Sequence, residues 1–386
     1  MSEYLGYYRP DGSVGIRNYV VVIPSVSCVN GVVGRIVDAV PEVKALCHGH
    51  GCGRFSPDID IHYKTLINIG KNPNVAAVLV IGLGCEVLNG EKLAMAIAET
   101  GKLVEFLSVQ QEGGSLKTAH EGIKIVNRML EETKKIQRTP FTLDKLTIGL
   151  ECGGSDAFSG VTANPSVGFA VDWLVNNGGT AILTETTEMI GTTHILQERG
   201  CCPDVSREIV KIIDNQEKLT EKLLGPLAKV VIAPGNMDGG LSSILEKSLG
   251  CIVKSGTTPI VEVFSYSTRP TKKGLVIMDG PGYDTEGMSG LAASGAQIIL
   301  FTTGRGNPVG FPIVPVAKIA SNSDLFNRMS DDMDVDAGVI LEGKEAKDVG
   351  NDIISLIKQV IDGKPTKAET NQKDHYICLY TTGPSF

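Results

Sequence analysis

The sequence contains no apolar run close to the roughly 18 residues that a membrane-spanning helix needs. Its first residues, Met1-Ser2-Glu3-Tyr4, show neither the basic nor the apolar segment of a secretory signal. Positive charge is scarce, since 36 Lys and Arg face 44 Asp and Glu and the net charge is −8. We therefore expect a cytoplasmic protein that binds neither a membrane nor nucleic acid. An acidic small molecule is not excluded, because a local cluster of Arg or Lys can override the global charge.

Several common motifs are missing as well. No GxxxxGK[ST] and no GxGxxG follows a predicted strand, so neither a P-loop nor a dinucleotide site is indicated. The cysteines do not have zinc-finger spacing, which argues against a structural zinc site. There are nine cysteines, an odd number, which favours free or metal-bound thiols in a reducing compartment over a disulfide framework.

Short apolar runs alternate with amphipathic segments along most of the chain. This rhythm is typical of parallel sheets covered by helices on both faces. At 386 residues the chain is too long for one ordinary core. We predict an α/β protein with two Rossmann-like parallel-sheet domains of three-layer αβα architecture, residues 1–137 and residues 138–386, the second ending in a polar tail. The charged stretch Lys134–Asp144, which contains Pro140, is the predicted linker.

Three cysteine motifs lie just past runs that are predicted to be buried strands. They are Cys47-His48-Gly49-His50-Gly51-Cys52, then Cys85-Glu86, and then Glu151-Cys152-Gly153-Gly154-Ser155-Asp156. Open α/β sheets bind their ligands at the carboxyl ends of strands. Thiolate, imidazole and carboxylate groups gathered there suit a transition metal. The alternative for each motif is a glycine-rich turn that holds a small buried cysteine.

A long polar loop follows Cys152. It runs from Gly153 to Pro165, between the predicted strand Lys145–Leu150 and the predicted helix Ser166–Asn177. Small hydroxyl and amide side chains beside the free N–H groups of a helix N-terminus suit a carboxylate or a polyol. Packing alone does not require such a loop, so it is predicted to line a binding site.

Other polar residues near predicted strands are candidates for the same site. Arg17 and Asn18 lie ahead of the first strand, and Arg305 follows the predicted strand Ile298–Thr302. Arginine binds carboxylates in a bidentate way, although any single arginine can also be a solvated surface charge. Of two acids after the predicted strand Thr180–Thr184, Glu188 is interpreted as a helix cap, whereas Glu185 is placed to reach the site.

Taken in order, these motifs resemble the altronate/galactarate dehydratase family of sugar-acid hydro-lyases. The most specific match is the 14-residue string Cys152–Pro165. The other matching segments are spread over nearly the whole chain and are Gly6–Asn18, His48–Gly53, Gly82–Glu86, Gly235–Leu249, Asp279–Asp284 and Phe301–Gly306.

The resemblance implies a metal-dependent dehydration, assisted by Fe²⁺ or Mn²⁺, of an aldonate or aldarate such as D-altronate or D-galactarate to a 2-keto-3-deoxy acid. Family members of this kind carry an N-terminal SAF-type domain or have it as a separate small subunit. Because the matching segment starts at Gly6, the resemblance implies a large subunit that lacks this domain and works with a small SAF-domain subunit. A homo-oligomer is also expected.

The resemblance, together with the chemistry of the side chains, implies a role for each candidate residue. Metal ligands are expected among His48, Cys52, Cys85, Glu86 and Cys152. The candidate acid and base are His50, which can titrate near neutral pH, and Asp156. The residues expected to bind the substrate are Arg17, Asn18, Ser155, Thr162, Asn164 and Arg305.

Several alternatives stay open. Three thiolates at three strand ends also suit an iron–sulfur cluster with one open iron. The large subunit of sulfolactate sulfo-lyase is a sister branch with the same architecture, although the thiols of the first two motifs favour the sugar-acid branch. A thiol-dependent acyl transferase or hydrolase that uses Cys152 or Cys52, and a non-catalytic subunit that binds a sugar acid, are the remaining possibilities.

Overall fold

A computed structural model describes residues 3–229, 232–371 and 376–385 of the chain. Its first part alternates strands and helices, as the apolar pattern predicts. The strands are β1 (Tyr4–Tyr8), β2 (Val14–Gly15), β3 (Tyr19–Pro24), β4 (Lys44–Ala45), β5 (Val75–Gly82), β6 (Leu103–Ser108) and β7 (Thr139–Phe141). The helices are α1 (Asn30–Ala39), α2 (Asp58–Gly70), α3 (Gly90–Ala98), α4 (Val109–Glu112) and α5 (Ser115–Lys134), with short 3₁₀ helices at Ser27–Val29 and Leu143–Lys145.

The first sheet has the strand order β4-β3-β5-β6, and every pair in it is parallel. All eight residues of β5 are buried, which is why this strand is a continuous apolar run without alternation. Helices α1 and α5 cover one face through Val33, Ile36 and Val126. Helices α2 and α3 cover the other face, so this half has the predicted three layers.

The second part contains a larger sheet and more helices. The strands are β8 (Thr147–Cys152), β9 (Thr180–Leu183), β10 (Ile260–Ser265), β11 (Leu275–Asp279), β12 (Ile298–Thr303), β13 (Val316–Ala320) and β14 (Val335–Asp336). The helices are α6 (Ala163–Asn176), α7 (Thr193–Glu198), α8 (Pro203–Leu224), α9 (Pro234–Asp238), α10 (Ile244–Ile252), α11 (Asp284–Ala293), α12 (Ser323–Arg328), α13 (Ala346–Ile361) and α14 (Lys367–Asn371). The 3₁₀ helices are Thr186–Met189, Gly225–Lys229, Val253–Ser255 and Gly338–Glu342.

The large sheet has seven parallel strands in the order β10-β11-β9-β8-β12-β13-β14. Strand β8 pairs with β9 on one side and with β12 on the other, and the later strands are added outward in both directions. The carboxyl end of β8 is therefore the topological switch point, where open α/β sheets bind their ligands. Cys152 is the last residue of this strand. The α/β prediction with two parallel sheets is confirmed.

Helices also cover both faces of the large sheet. Helices α6 and α13 pack on one face, where Val167, Ile353 and Ile357 join a core with Ile148 and Leu150 of β8. Helix α11 packs on the other face, and its core is continuous with that of α2 in the first half. The two halves therefore share one apolar core along this seam.

Buried amides bind the two halves together. Asn72, just after α2, donates hydrogen bonds to the carbonyls of Ala292 (2.8 Å) and Ala296 (2.9 Å) at the end of α11. Asn74 donates to the carbonyls of Gln297 (3.1 Å) and Ile313 (3.0 Å). The C-terminal ends of α2 and α11 therefore meet at Asn72.

The segments around the predicted linker and tail are more ordered than the sequence suggests. Strand β7 lies inside Lys134–Asp144 and pairs antiparallel with β1, which pairs antiparallel with β2. Residues 376–385 return to the first half, where the Ile377 N–H donates to the carbonyl of Cys47 at 2.8 Å. The boundary between residues 137 and 138 stays a prediction. Within the described residues, no helix combines the length and apolarity that crossing a membrane demands.

Candidate active site

A buried cluster of two cysteines and two glutamates lies at the switch point of the large sheet. Cys152 ends β8, Glu185 follows β9, Glu188 lies in the next 3₁₀ turn, and Cys251 lies near the end of α10. One ligand atom from each residue lies within 4.8 Å of the others, and all four residues are buried. Sulfur and carboxylate donors at this spacing can hold a divalent transition metal ion.

Glu188 and the two sulfurs form the tightest part of this Cys/Glu cluster. Glu188 Oε2 lies 2.9 Å from Cys152 Sγ and 2.9 Å from Cys251 Sγ, and the sulfurs are 3.4 Å apart. Glu185 Oε1 is farther away, 3.9 Å from Cys152 Sγ, and Glu185 Oε2 accepts the Cys152 N–H at 3.1 Å. The geometry therefore brings three donors to one point and a fourth beside it.

Two lysines balance the charge of the Cys/Glu cluster. Lys254 Nζ lies 3.1 Å from each of the two sulfurs and forms an ion pair with Glu185, and both partners of this pair have no exposed side-chain surface. Lys247 forms an ion pair with Glu188. Each carboxylate thus has a cation, which is the condition under which charges are tolerated in a protein interior.

Burial and neighbouring charges shift the pKa values of these groups. Burial, reinforced by the nearby Glu188 carboxylate, raises the pKa of Glu185 to about 7. Burial alone would also raise the pKa of Glu188, but the Lys247 and Lys254 ammonium groups hold it below its ordinary value. The hydrogen bond that the Cys251 thiol donates to Cys152, together with burial, raises the pKa of Cys251 well above its usual range. A metal ion that binds here therefore displaces thiol protons.

Glu185 has a backbone conformation that is unusual for a side chain of its size. Its φ is 69° and its ψ is 61°, in the left-handed region. A non-glycine residue in that region is destabilised, and such residues concentrate at functional sites where the surrounding structure holds them. This turn places both Glu185 and Glu188 beside Cys152.

A pocket of about 290 Å³ adjoins the Cys/Glu cluster. Its lining includes Cys251 of the cluster and Lys247, the ion-pair partner of Glu188, and helix α10 forms one wall. The opposite wall is the polar loop after Cys152, as the sequence predicts. The polar residues and the glycine that line the pocket from this loop and from the start of α6 are Ser155, Asp156, Ser159, Gly160 and Asn164.

Two contacts hold the loop in place. Asp156 Oδ1 accepts hydrogen bonds from the N–H (2.8 Å) and the hydroxyl (2.7 Å) of Ser159 and from the Ser321 hydroxyl (2.7 Å), and Oδ2 accepts from Asn322 (3.0 Å). At the other end, Gly160 touches Gly250 of α10 so closely that a Cβ on Gly160 would lie 2.9 Å from its Cα. Asp156 therefore anchors the loop to Ser321 and Asn322, which follow β13.

Other predicted substrate residues lie around or away from this pocket. Asn164 lines it and donates to the Gly250 carbonyl at 2.8 Å. The Thr162 hydroxyl is engaged with the carbonyl of Ser321 at 2.7 Å, outside the pocket lining. The side chain of Arg305 is exposed, and its backbone N–H donates to the carbonyl of Gly154 at 2.7 Å.

Arg17 bonds across the seam between the two halves, whereas Asn18 bonds within the first half. The guanidinium of Arg17 forms a bidentate ion pair with Glu369 of α14, with both distances 2.9 Å. Asn18 accepts a hydrogen bond from Arg9 at 2.7 Å and donates one to the carbonyl of Thr133 at 2.8 Å. These side chains are engaged in holding elements together, and neither lines the pocket.

The first cysteine motif lies at the carboxyl end of the smaller sheet. His48 is fully buried, its Nε2 bonds the carbonyl of Pro24 at 2.9 Å, and its Nδ1 accepts the N–H of His50 at 3.2 Å. Both ring nitrogens of His48 are therefore engaged within the protein. The His50 ring packs against His62 with 4.5 Å between centroids, and Cys52 is exposed.

The second motif lies close to the first. Glu86 accepts hydrogen bonds from the Ser25 hydroxyl (2.6 Å) and from the N–H groups of Leu83 (3.2 Å) and Gly84 (2.6 Å). Burial alone would raise the pKa of Glu86, but these donors lower it overall. Cys85 is exposed. Of the three cysteine motifs, only the third contributes to the Cys/Glu cluster.

Acid is expected to destabilise the fold through His48. Burial lowers the pKa of His48 to about 4, from an ordinary value of 6.5. The unfolded chain binds this proton first as pH falls, so stability is lost between pH 6.5 and pH 4 and is fully present above pH 6.5. From pH 7 to pH 5, His48 should lower the free energy of unfolding by about 2 kcal/mol. Urea unfolding at both pH values should show a smaller decrease for His48→Gln; an equal decrease would contradict the assignment.

Sequence reasoning missed half of the Cys/Glu cluster and both lysines. Glu188 was interpreted as a cap, and Cys251, Lys247 and Lys254 were not singled out as site residues. A signal was available in the spacing of Cys251 and Lys254, which puts both side chains on one face of a helical turn. It did not reveal that this turn lies against β8.

The comparisons with known proteins cover both halves of the chain. The model described as D-galactarate/altronate dehydratase, C-terminal, matches residues 143–385. The model described as D-galactarate dehydratase/altronate hydrolase, second domain, matches residues 6–134. All four residues of the Cys/Glu cluster lie within the first match.

Several curated proteins are similar over most of their length. Altronate dehydratase of Bacillus subtilis is 35% identical over 380 residues, which are 95% of this chain and 76% of that protein. Galactarate dehydratase (L-threo-forming) of Escherichia coli is 38% identical over 385 residues, 93% of this chain and 72% of that protein. The (2R)-sulfolactate sulfo-lyase subunit beta of Chromohalobacter salexigens is 35% identical over 369 residues, 95% of this chain and 94% of that subunit. The chain therefore belongs to the D-galactarate/altronate dehydratase family and is, like these relatives, a lyase.

Proposed function

We propose that the protein is a metal-dependent sugar-acid dehydratase that converts an aldonate or an aldarate to a 2-keto-3-deoxy acid. The observation that carries this proposal is the junction between the buried Cys/Glu cluster and the polar pocket. The pocket is lined by Cys251 of the cluster and by Lys247, which pairs with Glu188 of the cluster. A metal held in the cluster would adjoin a cavity lined with hydroxyl, amide and ammonium groups, and a polyhydroxy acid offers complementary groups.

Cys152, Cys251 and Glu188 are the proposed metal ligands. Three protein ligands leave a position for substrate, as in catalytic metal sites. The carboxylate suits Mn²⁺ and the thiolates suit a softer ion such as iron, and the bound ion would act as a Lewis acid on the substrate. An iron–sulfur cluster is less well supported, because the cluster offers two thiols where such centres use more. This set retains Cys152 and leaves out His48, Cys52, Cys85 and Glu86.

Lys247 is proposed to bind the substrate carboxylate. It lines the pocket and contacts Glu188, so it can orient the acid with its α-carbon toward the Cys/Glu cluster. Ser155, Ser159 and Asn164 are proposed to bind hydroxyl groups of the substrate. Thr162 and Asp156 would support the loop from behind.

Glu185 is proposed to accept the α-proton. A base is most effective when its pKa is close to the working pH, and that of Glu185 is raised to about 7. It adjoins the proposed ligands, and its ion pair with Lys254 provides a counter-charge. This proposal moves the proton-transfer role from His50 and Asp156 to Glu185, because Glu185 belongs to the Cys/Glu cluster whereas His50 does not, and because Asp156 accepts four hydrogen bonds.

An anaerobic screen tests the proposal directly. The protein is purified without oxygen, loaded with Fe²⁺ or Mn²⁺ and given a panel of aldonates and aldarates, and the 2-keto-3-deoxy acid is measured. We expect the protein to turn over at least one sugar acid. A chelator should abolish this activity, and adding the metal back should restore it. Turnover that is indifferent to chelators but lost on thiol alkylation would instead indicate the thiol-nucleophile chemistry.

Cleavage of a C–S bond is the second candidate, because the sulfo-lyase subunit is matched along 94% of its length. Sulfite release from (2R)-sulfolactate, with no keto acid from any sugar acid, would favour it. A third outcome would favour a non-catalytic subunit that binds a sugar acid. In that case a sugar acid would raise the melting temperature of the protein but would not be turned over, even with the metal and a small subunit present.

We further propose that the chain works in the cytoplasm with a small SAF-domain subunit and as a homo-oligomer. The name of the sulfo-lyase relative, subunit beta, supports a partnership between chains. Cysteines that are all free among the described residues support a reducing compartment. Co-expression with a candidate small subunit, followed by size-exclusion chromatography with light scattering, measures both the partnership and the copy number.

Lys247→Met is expected to lower kcat/KM for the sugar acid by about 100-fold, because the substrate carboxylate loses its cation and Glu188 is left unpaired. Steady-state kinetics of the metal-loaded enzyme measures this. Lys211→Met is the matched control, since Lys211 is exposed on α8 and pairs with Glu208. An unchanged kcat/KM in Lys247→Met would contradict the role.

A further inference from the structure

A second cavity lies at the opposite end of the large sheet. Its volume is about 300 Å³, and its lining includes Thr147 and Thr180, the first residues of β8 and β9. Cys152 is the last residue of β8, and five residue steps along a strand span about 16 Å. The cavity is therefore separate from the Cys/Glu cluster. We call it the seam pocket, because residues 11–13 and Pro73 of the first half line it together with residues of the large sheet.

The seam pocket has an excess of positive charge. Its charged lining residues are four cations and two acids, namely Lys145, Arg269, Lys272, Lys273, Asp11 and Asp144. Both acids are already engaged. Asp11 Oδ1 accepts hydrogen bonds from the N–H (3.0 Å) and the hydroxyl (2.6 Å) of Ser13, and Asp144 Oδ2 accepts one from Lys273 at 2.7 Å. In a chain whose net charge is −8, this local excess favours an anionic ligand.

Several hydrogen-bond donors of the seam pocket are free. Those without a hydrogen-bond or ion-pair partner among the described residues are the hydroxyls of Thr147 and Thr180 and the ammonium groups of Lys145 and Lys272. Arg269 Nη1 is 3.9 Å from Asp11 Oδ2, which is longer than a hydrogen bond. Free donors beside acceptors that are already engaged are what an oxyanion requires.

Two buried basic side chains next to the seam pocket lack a carboxylate partner. Arg9 is 4% exposed and donates to the carbonyl of Pro73 at 2.7 Å, and Lys102 is 6% exposed and donates to the carbonyl of Asn72 at 2.7 Å. Burial and repulsion from Arg9 and Arg269 lower the pKa of Lys102 well below its ordinary value. Buried charges are tolerated when a counter-charge is present. An anion in the seam pocket would supply one.

The loop that carries most of the cations is held in a fixed shape. Glu262 of β10 accepts hydrogen bonds from the N–H groups of Thr271 (2.8 Å) and Lys272 (2.8 Å) and from the Thr271 hydroxyl (2.9 Å). Glu262 itself is not among the residues that line the pocket. Because the loop is ordered before a ligand arrives, binding does not have to order it.

We propose that the seam pocket binds a small anion that carries a phosphate group, such as a phosphate monoester. Ammonium, guanidinium and hydroxyl donors that come from different strands and loops suit the three free oxygens of a phosphate better than the two coplanar oxygens of a carboxylate. A cavity of about 300 Å³ also has room for the organic part of an ester. This binding site is independent of the proposed dehydratase function.

Calorimetry with three small anions tests the proposal. The protein is titrated with glycerol 3-phosphate, with inorganic phosphate and with succinate as a carboxylate of similar charge. One glycerol 3-phosphate should bind per chain, about tenfold more tightly than succinate, because one more oxygen accepts a charge-assisted hydrogen bond. Equal affinity for succinate would overturn the assignment to phosphate, and no saturable binding of either phosphate compound at about 10 mM would overturn the site.

Variants of the seam pocket separate a built site from diffuse attraction by surface charge. Lys145→Gln combined with Lys272→Gln should weaken the binding of glycerol 3-phosphate by about 100-fold, since two charged donors are lost. Both residues are exposed, so their replacement should not disturb folding. Thr180→Val keeps the shape and the charge but removes one hydroxyl, and it should weaken binding by about fivefold. Wild-type affinity in Thr180→Val would reject a built site.

Two controls locate the bound anion. Lys218→Gln combined with Lys222→Gln removes the same charge from the exposed surface of α8 and should leave the affinity unchanged. An equal loss there would show that only net charge matters. Lys247→Met should also bind glycerol 3-phosphate as the wild type does, because Lys247 lines the other pocket. Loss of binding in Lys247→Met would place the anion beside the Cys/Glu cluster and would overturn the proposal.

Discussion

Cys152→Ala is expected to lose its bound metal and its turnover together. The substitution removes one of the proposed ligands at the topological switch point and leaves Glu188 and Cys251 without their shared neighbour. Because a Lewis acid contributes several kcal/mol to such a reaction, kcat should fall by about 100-fold or more. Metal content per chain, measured by elemental analysis of protein purified without oxygen, should fall in parallel with kcat.

Cys28→Ala is the matched control for this experiment. Cys28 is exposed and lies outside the Cys/Glu cluster, so both metal content and turnover should remain unchanged. If Cys152→Ala retains its metal while losing activity, the residue acts on the substrate and not on the ion. If it retains both, Cys152 is not a ligand.

Lys254→Met is expected to destabilise the metal-free protein strongly. Lys254 and Glu185 form an ion pair in which neither side chain is exposed, and the same ammonium group lies 3.1 Å from both sulfurs. Removing one member of a buried pair costs about 3–5 kcal/mol, because the other charge is left without a partner. Urea unfolding of the metal-free variant should show a decrease of that size in the free energy of unfolding.

The metal is expected to restore part of this stability. A divalent cation among the same donors replaces the positive charge that the substitution removes, so the difference between variant and wild type should shrink in Mn²⁺. Lys211→Met should change stability by no more than about 0.5 kcal/mol, since its ion pair is exposed. An equally stable metal-free Lys254→Met would show that Glu185 is not ionised without metal.

Regular periodicity made most of the fold predictable. Strand β5 is eight buried residues in a row, and such a run has few alternatives to a central parallel strand. The three-stranded antiparallel sheet of β2, β1 and β7 was not predicted, because its strands are short and have no regular apolar pattern. Strand β7 is three residues long and contains Pro140, and it becomes a strand because β1 lies beside it, which no local pattern can indicate.

The residues of the candidate site also fall into a group that the sequence predicts and a group that it does not. The loop from Gly153 to Pro165 was identified from the sequence because its composition departs from what packing requires, and its members line the pocket. Cys251 and Glu188 could not be identified in this way, because each lies on a helical turn with an ordinary local pattern. What makes them part of a site is the tertiary contact with Cys152, which is 99 residues from Cys251 and 36 residues from Glu188.

His48 and Glu86 illustrate a further limit. Metal ligands and structural hydrogen-bonding groups are the same residue types, and the difference lies in whether their polar atoms are already engaged. The ring nitrogens of His48 and the carboxylate of Glu86 are engaged by backbone groups within their own half of the chain. Only coordinates reveal that difference.

The buried amides at the seam have a consequence for how the molecule moves. Asn72 and Asn74 are fully buried and bond across the boundary between the halves. A hinge rotation of one half against the other would strand these donors away from water, at roughly 1–3 kcal/mol each. Clamshell closure is therefore disfavoured as a gating step. Substrate exchange would then depend on a smaller displacement of α10 against the loop at Gly160, where the absence of a Cβ on Gly160 and on Gly250 lets the two backbones touch.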